Sequence, residues 1–430
     1  MAEGTIHIHG GHLVDPANGI DAPADLYLAD GRIAAIGKAP DGFSAALTLD
    51  ASGLYVIPGL VDLCARLREP GQEHKANIDS ECRAAAASGI TTLCCPPDTT
   101  PVIDTPAVVE LIRQRASRTH AARVVSLGAL TRNLDGEHLS EMAALKQAGC
   151  VGVSNALHPL ASTQIERRAF EYAATFDLTV FLHADDPALS ASGCLHEGQL
   201  STRLGLPGIP EAAETVAVAR DLALIQQTGV RAHFCRLTTE RAVRMVARAQ
   251  FDGLPVSADV AVPYLYLSEL DASEFNPDFH FIPPLRTQND RNGLVTGLRD
   301  GTLGALCSDH QPHEADAKLA PFPATEPGAS GLETLLPLTL KLVQEKHLTL
   351  SEAIARVTCG PAAILNLPCG ELGVGRVADL CLFDAAAHWQ VKRENLLSQG
   401  KNTPFTGWEM PGQVRYTLRD GQIIFRREAR

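Results

Sequence analysis

The stretch "LYVIPGLVDLCARLREPG" (54–71) begins as an apolar run and ends in alternating polar and apolar residues. Its first half reads as a buried strand, because it is short, apolar and rich in β-branched side chains. Such a strand, ending in Cys64-Ala65-Arg66-Leu67-Arg68, delivers reactive and charged groups to its C-terminal tip.

The same layout recurs down the chain. Short apolar runs such as "GITTLCCP", "ARVVSLGAL", "CVGVSNAL", "LTVFLHADD", "VRAHFCRLTT", "GLPVSADVAV" and "GTLGALCSDHQPH" alternate with helix-like stretches such as "HLSEMAALKQAG" and "EAAETVAVARDLALIQQTG". Strand-then-helix order repeated about eight times predicts a parallel α/β architecture closed as a (β/α)8 barrel. In that fold the C-terminal strand ends line the functional face. Cys64, Arg66, Asp98, Asn155, His183, Arg236 and Asp309 all fall at such ends. The two chain ends differ from this middle: they carry short strands broken by turns, including Asp30-Gly31 and Asp420-Gly421, a pairing that favours hairpins. The expected organisation is a small β-sandwich domain made by residues 1–56 and 367–430, flanking a barrel over 57–366.

Composition narrows the function classes. With 430 residues, 45% hydrophobic and 20% charged, the chain suits a large globular core. A formal charge of −13 without a Lys/Arg block argues against a nucleic-acid surface. No run of eighteen apolar residues is present, which excludes a helical membrane span. The eleven cysteines are scattered, with no CxxC pair. With no signal-peptide layout at the start, they fit a reducing cytoplasm rather than a disulfide framework.

Among single residues, "SDHQPH" (308–313) clusters Asp309, His310 and His313 directly after an apolar run. His183 ends another, and His233 reads as structural. His7-x-His9 alternates along an N-terminal strand and reads as solvated β surface. Arg66 and Arg236 are the physical crux. Zinc takes lone pairs from imidazole, thiolate or carboxylate, whereas guanidinium has no acceptor and stays protonated. At ~4 Å and an effective dielectric near 20, each unit of metal charge would be repelled by roughly 4 kcal/mol.

Over nearly its whole length the chain resembles type I dihydroorotases of the amidohydrolase superfamily. The likeness is carried by "GLVDLCARLREPGQEHKANI", "AAAASGITTLCCPPDTTPVIDTP", "LGLPGIPEAAE", "PPLRTQNDRNGLVTGLRDGTLGALCSDHQPH", "PGASGLETLLPLTL", "GVGRVADLCLFD" and "GKNTPFTGWEMPGQV". The resemblance implies a barrel with a β-domain built from both termini. It also implies metal-ligand positions at Cys64, Arg66, Asn155, His183, Arg236 and Asp309. Active members carry histidines where this chain has Cys64, Arg66 and Arg236, and a carboxylate or carboxylated lysine at Asn155, so only His183 and Asp309 remain. Asp309 matches the general base, leaving it a vestigial catalytic residue. Of the substrate-binding positions, Arg68 and His313 match the family, while Asp98 and Ile282 replace asparagines.

The resulting expectation is a chain that is not an enzyme and binds no cofactor, zinc included. The resemblance further implies a non-catalytic subunit that assembles with the aspartate carbamoyltransferase catalytic chain in pyrimidine synthesis. The complex would be a cytoplasmic hetero-oligomer of transferase trimers and dimers of this chain, with no nucleic-acid or membrane partner. The alternative is a cyclic-amide hydrolase with a rewired zinc site of Cys64, His183 and Asp309. A third possibility reuses Arg66, Arg68 and Arg236 to bind an anionic metabolite.

Overall fold

A computed structural model describes residues 4–428. Eight parallel strands follow one another in spatial as in chain order: β1 (Leu60–Asp62), β2 (Ile90–Cys95), β3 (Arg123–Ala129), β4 (Gly152–Ser154), β5 (Val180–Leu182), β6 (Ala232–Phe234), β7 (Val256–Ala261) and β8 (Ala305–Cys307). The first and last strands meet through their C-terminal extensions. His310 N donates to Cys64 O at 3.1 Å, and Arg66 N donates to His310 O at 2.9 Å. Ser308 N adds a bond to the buried Asp62 Oδ1 at 2.9 Å. The near-closed barrel expected from the strand–helix alternation is therefore present.

Several of the helices start at side-chain caps that the sequence supplies. Asn77 and Ser80 form a reciprocal capping box at Ile78–Ala87; Thr239 caps Glu240–Phe251; and Thr349 with Glu352 caps Leu350–Ala355. Each satisfies amide donors that a helix start leaves orphaned. Their apolar faces pack on the barrel, so that Phe170, Phe181 and Phe234 are fully buried.

The termini build two sheets beside the barrel. Strands Ile6–His9, Leu26–Ala29, Arg32–Ile36 and Leu47–Asp50 form one. The other holds six strands, with Tyr55–Pro58 at its heart, between His12–Asp15 and Leu380–Gln390. N-terminal Ile8, Leu13 and Leu28 share a core with C-terminal Leu380, Leu382 and Leu418. The hairpin turns fall at Asp30-Gly31 and Asp420-Gly421, all four with positive φ. Tyr55–Pro58 passes into β1 across Gly59 alone, where a Cβ would stand 2.3 Å from Thr91; only glycine lets the two chains approach so closely. No helix of the described residues is long and apolar enough to cross a membrane. All eleven cysteines are free thiols.

Candidate functional site

Every residue singled out at a strand end sits at the C-terminal mouth of the barrel. Cys64 and Arg66 follow β1, Asp98 follows β2, Asn155 follows β4, His183 follows β5, Arg236 follows β6 and Asp309 follows β8. Arg68, Arg236 and Asp309 each have positive φ, at 61°, 55° and 44°. Non-glycine residues reach that region only when their surroundings impose it. For Arg236 the imposing partner is Asp259 on β7, whose Oδ1 accepts the Arg236 amide.

The side chains converge on one carboxylate. Asp309 Oδ1 lies 3.4 Å from Arg66 Nη1 and 3.5 Å from Arg236 Nε. Cys64 Sγ donates to the same oxygen at 3.5 Å, while Gln311 Nε2 donates to Oδ2 at 3.1 Å. Arg236 Nη1 in turn donates to Cys64 Sγ at 3.3 Å. Arg66 Nε reaches Asp98 Oδ2 at 2.8 Å. Both arginines are only 5% exposed and Asp309 4%, so their charges compensate one another inside the protein rather than through solvent.

Protonation states follow from this packing. Burial pushes the Cys64 thiol up to about 12, with Arg236 opposing and Asp309 reinforcing the shift, so it remains a thiol. Burial, then Arg236 and Arg66, bring His183 down to about 3, leaving a neutral imidazole whose Nδ1 is buried without a partner. Burial works against a charged Asp98, yet the Arg66 guanidinium outweighs it and holds the carboxyl below its usual range. The Arg236 guanidinium is likewise held charged despite burial, chiefly by Asp309.

The other expected positions are tied into the walls. Asn155 accepts at Oδ1 from Thr131 N (3.2 Å) and Thr131 Oγ1 (2.7 Å), and its Nδ2 donates to His158 O. Arg68 donates from Nε to Pro312 O at 3.0 Å and from Nη1 to Gln72 Oε1 at 3.2 Å. Its Nη2 lies 3.1 Å from His313 Nε2. Burial, followed by Arg66, lowers Arg68 to about 10; burial, followed by Arg68, lowers His313 to about 2. Ile282, half-buried before Pro283, offers no polar side-chain atom. His233 is buried within β6, with Nδ1 2.8 Å from Ser257 Oγ. His7 pairs with Asp25 at 2.9 Å on the N-terminal sheet.

The metal that the fold family implies asks for three or more converging lone-pair donors. Among the described residues no three His, Cys, Asp or Glu side chains form such a group. The donors present do not fit a metal as they stand: Asp309 is taken up by guanidinium groups, and Cys64 Sγ accepts from Arg236 Nη1. Two participants were not visible in the sequence. Gln311 closes the second oxygen of Asp309 and Asp259 fixes the Arg236 backbone; each would have shown only as a polar residue in or just past a barrel strand.

Comparison with known proteins places the chain. A family model described as dihydro-orotase-like matches residues 53–242, and an amidohydrolase family model matches 226–425. A dihydroorotase-like protein of Pseudomonas aeruginosa is 53% identical over 97% of this chain and 99% of its own length. A dihydroorotase of Geobacter sp. (strain M21) is 41% identical over 97% of this chain and 98% of its own. The L-hydantoinase structure from Arthrobacter aurescens superposes with a TM-score of 0.87 at 24% identity, covering 97% of this chain and 95% of that one, which bears on the fold alone. These findings correct the expectation that the chain is not an enzyme. Relatives that align almost end to end are named dihydroorotase. The expectation rested on the replaced metal-ligand positions together with the replaced substrate contacts at Asp98 and Ile282.

Proposed function

Because the chain belongs to the dihydroorotase-like family of amidohydrolases, we propose that it serves de novo pyrimidine synthesis as an assembly partner of the aspartate carbamoyltransferase catalytic chain. The observation that carries this reading is the pairing of two buried guanidinium groups with Asp309. Guanidinium charge stands where a metal's charge would otherwise balance that carboxylate, so the barrel mouth is electrostatically complete without zinc. The fold around it is intact, and its contribution to the assembly is packing. A surface buried only in the complex stabilises that complex by mass action.

Co-expression with the transferase catalytic chain of the same organism, followed by gel filtration at micromolar concentration, tests the proposal. Co-elution as a hetero-oligomer larger than either chain alone is expected; separate elution of the two chains overturns it. The rewired zinc reading needs Arg66 and Arg236 both to leave Asp309 and Cys64. Stoichiometric zinc, lost on Cys64→Ser, would establish that reading instead.

A further inference from the structure

Three connections at the barrel mouth are longer than the others and fold together into a cover. Residues 185–209 follow β5, 266–286 follow β7 and 314–328 follow β8. They share a small core of their own, in which Cys194, Leu195, Ala272 and Phe322 are buried against Leu204, Leu206 and Phe279. Polar ties fix the same arrangement. Lys318 Nζ donates to the carbonyls of Pro277 (3.2 Å), Glu326 and Gly328 (3.0 Å), joining the second and third segments. Thr325 Oγ1 donates to Phe322 O at 2.7 Å and so accepts from His280 Nδ1 at 2.8 Å. Arg286 Nη1 donates to Ile209 O at 2.7 Å, joining the second segment to the first. The cover is therefore a formed surface and not a set of independent loops.

That surface has a distinct chemistry. The three segments contain ten Asp and Glu against three Lys and Arg, a net of −7 out of the chain's −13. Two of the three basic groups, Arg286 and Lys318, are spent on the internal ties just described, while of the carboxylates the buried Asp278 pairs with Arg393 and Glu326 with Lys75, leaving the surface acidic through the rest. Four of the ten large apolar side chains that stand exposed among the described residues also lie here: Leu189 (39%), Leu270 (62%), Phe275 (47%) and Leu319 (78%). Contiguous exposed apolar area marks a surface that another molecule covers, and these four side chains are carried by segments that pack on one shared core. The carboxylates, among them the exposed Glu274 and Asp316, select its sign, since complementary charge steers encounter and rejects wrong partners.

We propose that the cover is the docking surface for a protein partner whose facing surface is basic and apolar. On the functional reading above, on which this rests, that partner is the transferase catalytic chain. The exposed side chains supply area and the carboxylates supply rate and specificity. Binding should therefore weaken as salt rises.

The test uses full-length chains and the transferase catalytic chain as the probe. Wild type is compared with L270S/L319S/E274K/D316K, which changes only exposed side chains, and with F251K, at a residue 82% exposed at the end of helix Glu240–Phe251, remote from the mouth. Wild type and F251K should bind alike, while the quadruple variant should lose about tenfold or more in affinity with an unchanged melting temperature. Quadruple variant and wild type binding equally overturns the cover assignment alone. Wild type failing to bind overturns the functional reading and this inference together. If wild type without transferase sediments as a dimer that the quadruple variant splits, the cover seats a second copy, and the basic partner is overturned.

Discussion

Arg236→Met isolates the contribution of one guanidinium to the barrel mouth. Methionine keeps much of the aliphatic stem while removing the charge. In the wild type, Arg236 Nε lies 3.5 Å from Asp309 Oδ1. At an effective dielectric near 20, unit charges at that spacing attract by about 5 kcal/mol. Two effects reduce the net loss. Methionine escapes the several kcal/mol that burying the cation costs, on the order estimated for ions in protein interiors. Arg66 also retains its hold on the same oxygen at 3.4 Å. Breaking a buried pair commonly costs ~3–5 kcal/mol, so with Arg66 still in place the expected loss is about 2–3 kcal/mol. Adding Asp309→Asn removes the under-compensated carboxylate and should recover about half of that loss or more. Urea denaturation at pH 7, followed by fluorescence of Trp389 and Trp408, gives the midpoints of both single variants and the double variant. An unchanged midpoint for Arg236→Met, or two single effects that simply add, would show that Arg236 does not neutralise Asp309.

Other expectations follow from the same geometry. Elemental analysis of protein purified without chelator should find fewer than about one zinc per ten chains, since nothing at the mouth offers a complete donor set; one metal per chain refutes the charge-substitution account. Asp98 has its carboxyl held below the usual value by Arg66. Its contribution is thus fully present above the unfolded-state pKa of about 3.9 and is lost as pH falls through the folded-state value. Asp98→Asn should lower stability at pH 7 and flatten the acid limb below about pH 4; an acid limb identical to wild type counts against the pairing. Cys64, with its thiol pushed up to about 12, should resist iodoacetamide at pH 8 until denaturant is added, because the thiolate is the reactive form. Peptide mass spectrometry reads the result, and rapid labelling in the folded protein would contradict the burial.

The barrel was legible because its signal is local and repeated: each strand is a short apolar run and each helix has its own cap or periodicity. The mouth residues were legible for a related reason, since the residue after a parallel strand has few other places to point. Partnership was not. Asp98 reads in the sequence as a lost substrate contact, whereas in the structure it is the 2.8 Å partner of Arg66. Asp259 bonds to the segment after the neighbouring strand, a link that no spacing rule supplies, and Gln311, two residues from Asp309, showed only as one more polar residue. The cover was missed because its segments are too short and irregular to show periodicity, and its core of Cys194, Leu195, Ala272 and Phe322 draws on three separate connections. The absence of activity was inferred from replaced metal-ligand and substrate-contact positions, and relatives named dihydroorotase, aligned nearly end to end, correct that inference.

The strand Tyr55–Pro58 has a consequence for how the chain is made. One flank pairs with His12–Asp15 as soon as both have emerged, but the other pairs with Leu380–Gln390. At synthesis rates of about 5–20 residues per second, the later strand follows roughly 15–65 s behind. During that interval a row of amide and carbonyl groups in the middle of the future sheet stays open, the kind of edge that recruits strands from other chains. Ribosome-bound intermediates of this protein should therefore be most prone to aggregation before residue 380 is exposed, and a chaperone that shields the N-terminal sheet should raise its yield.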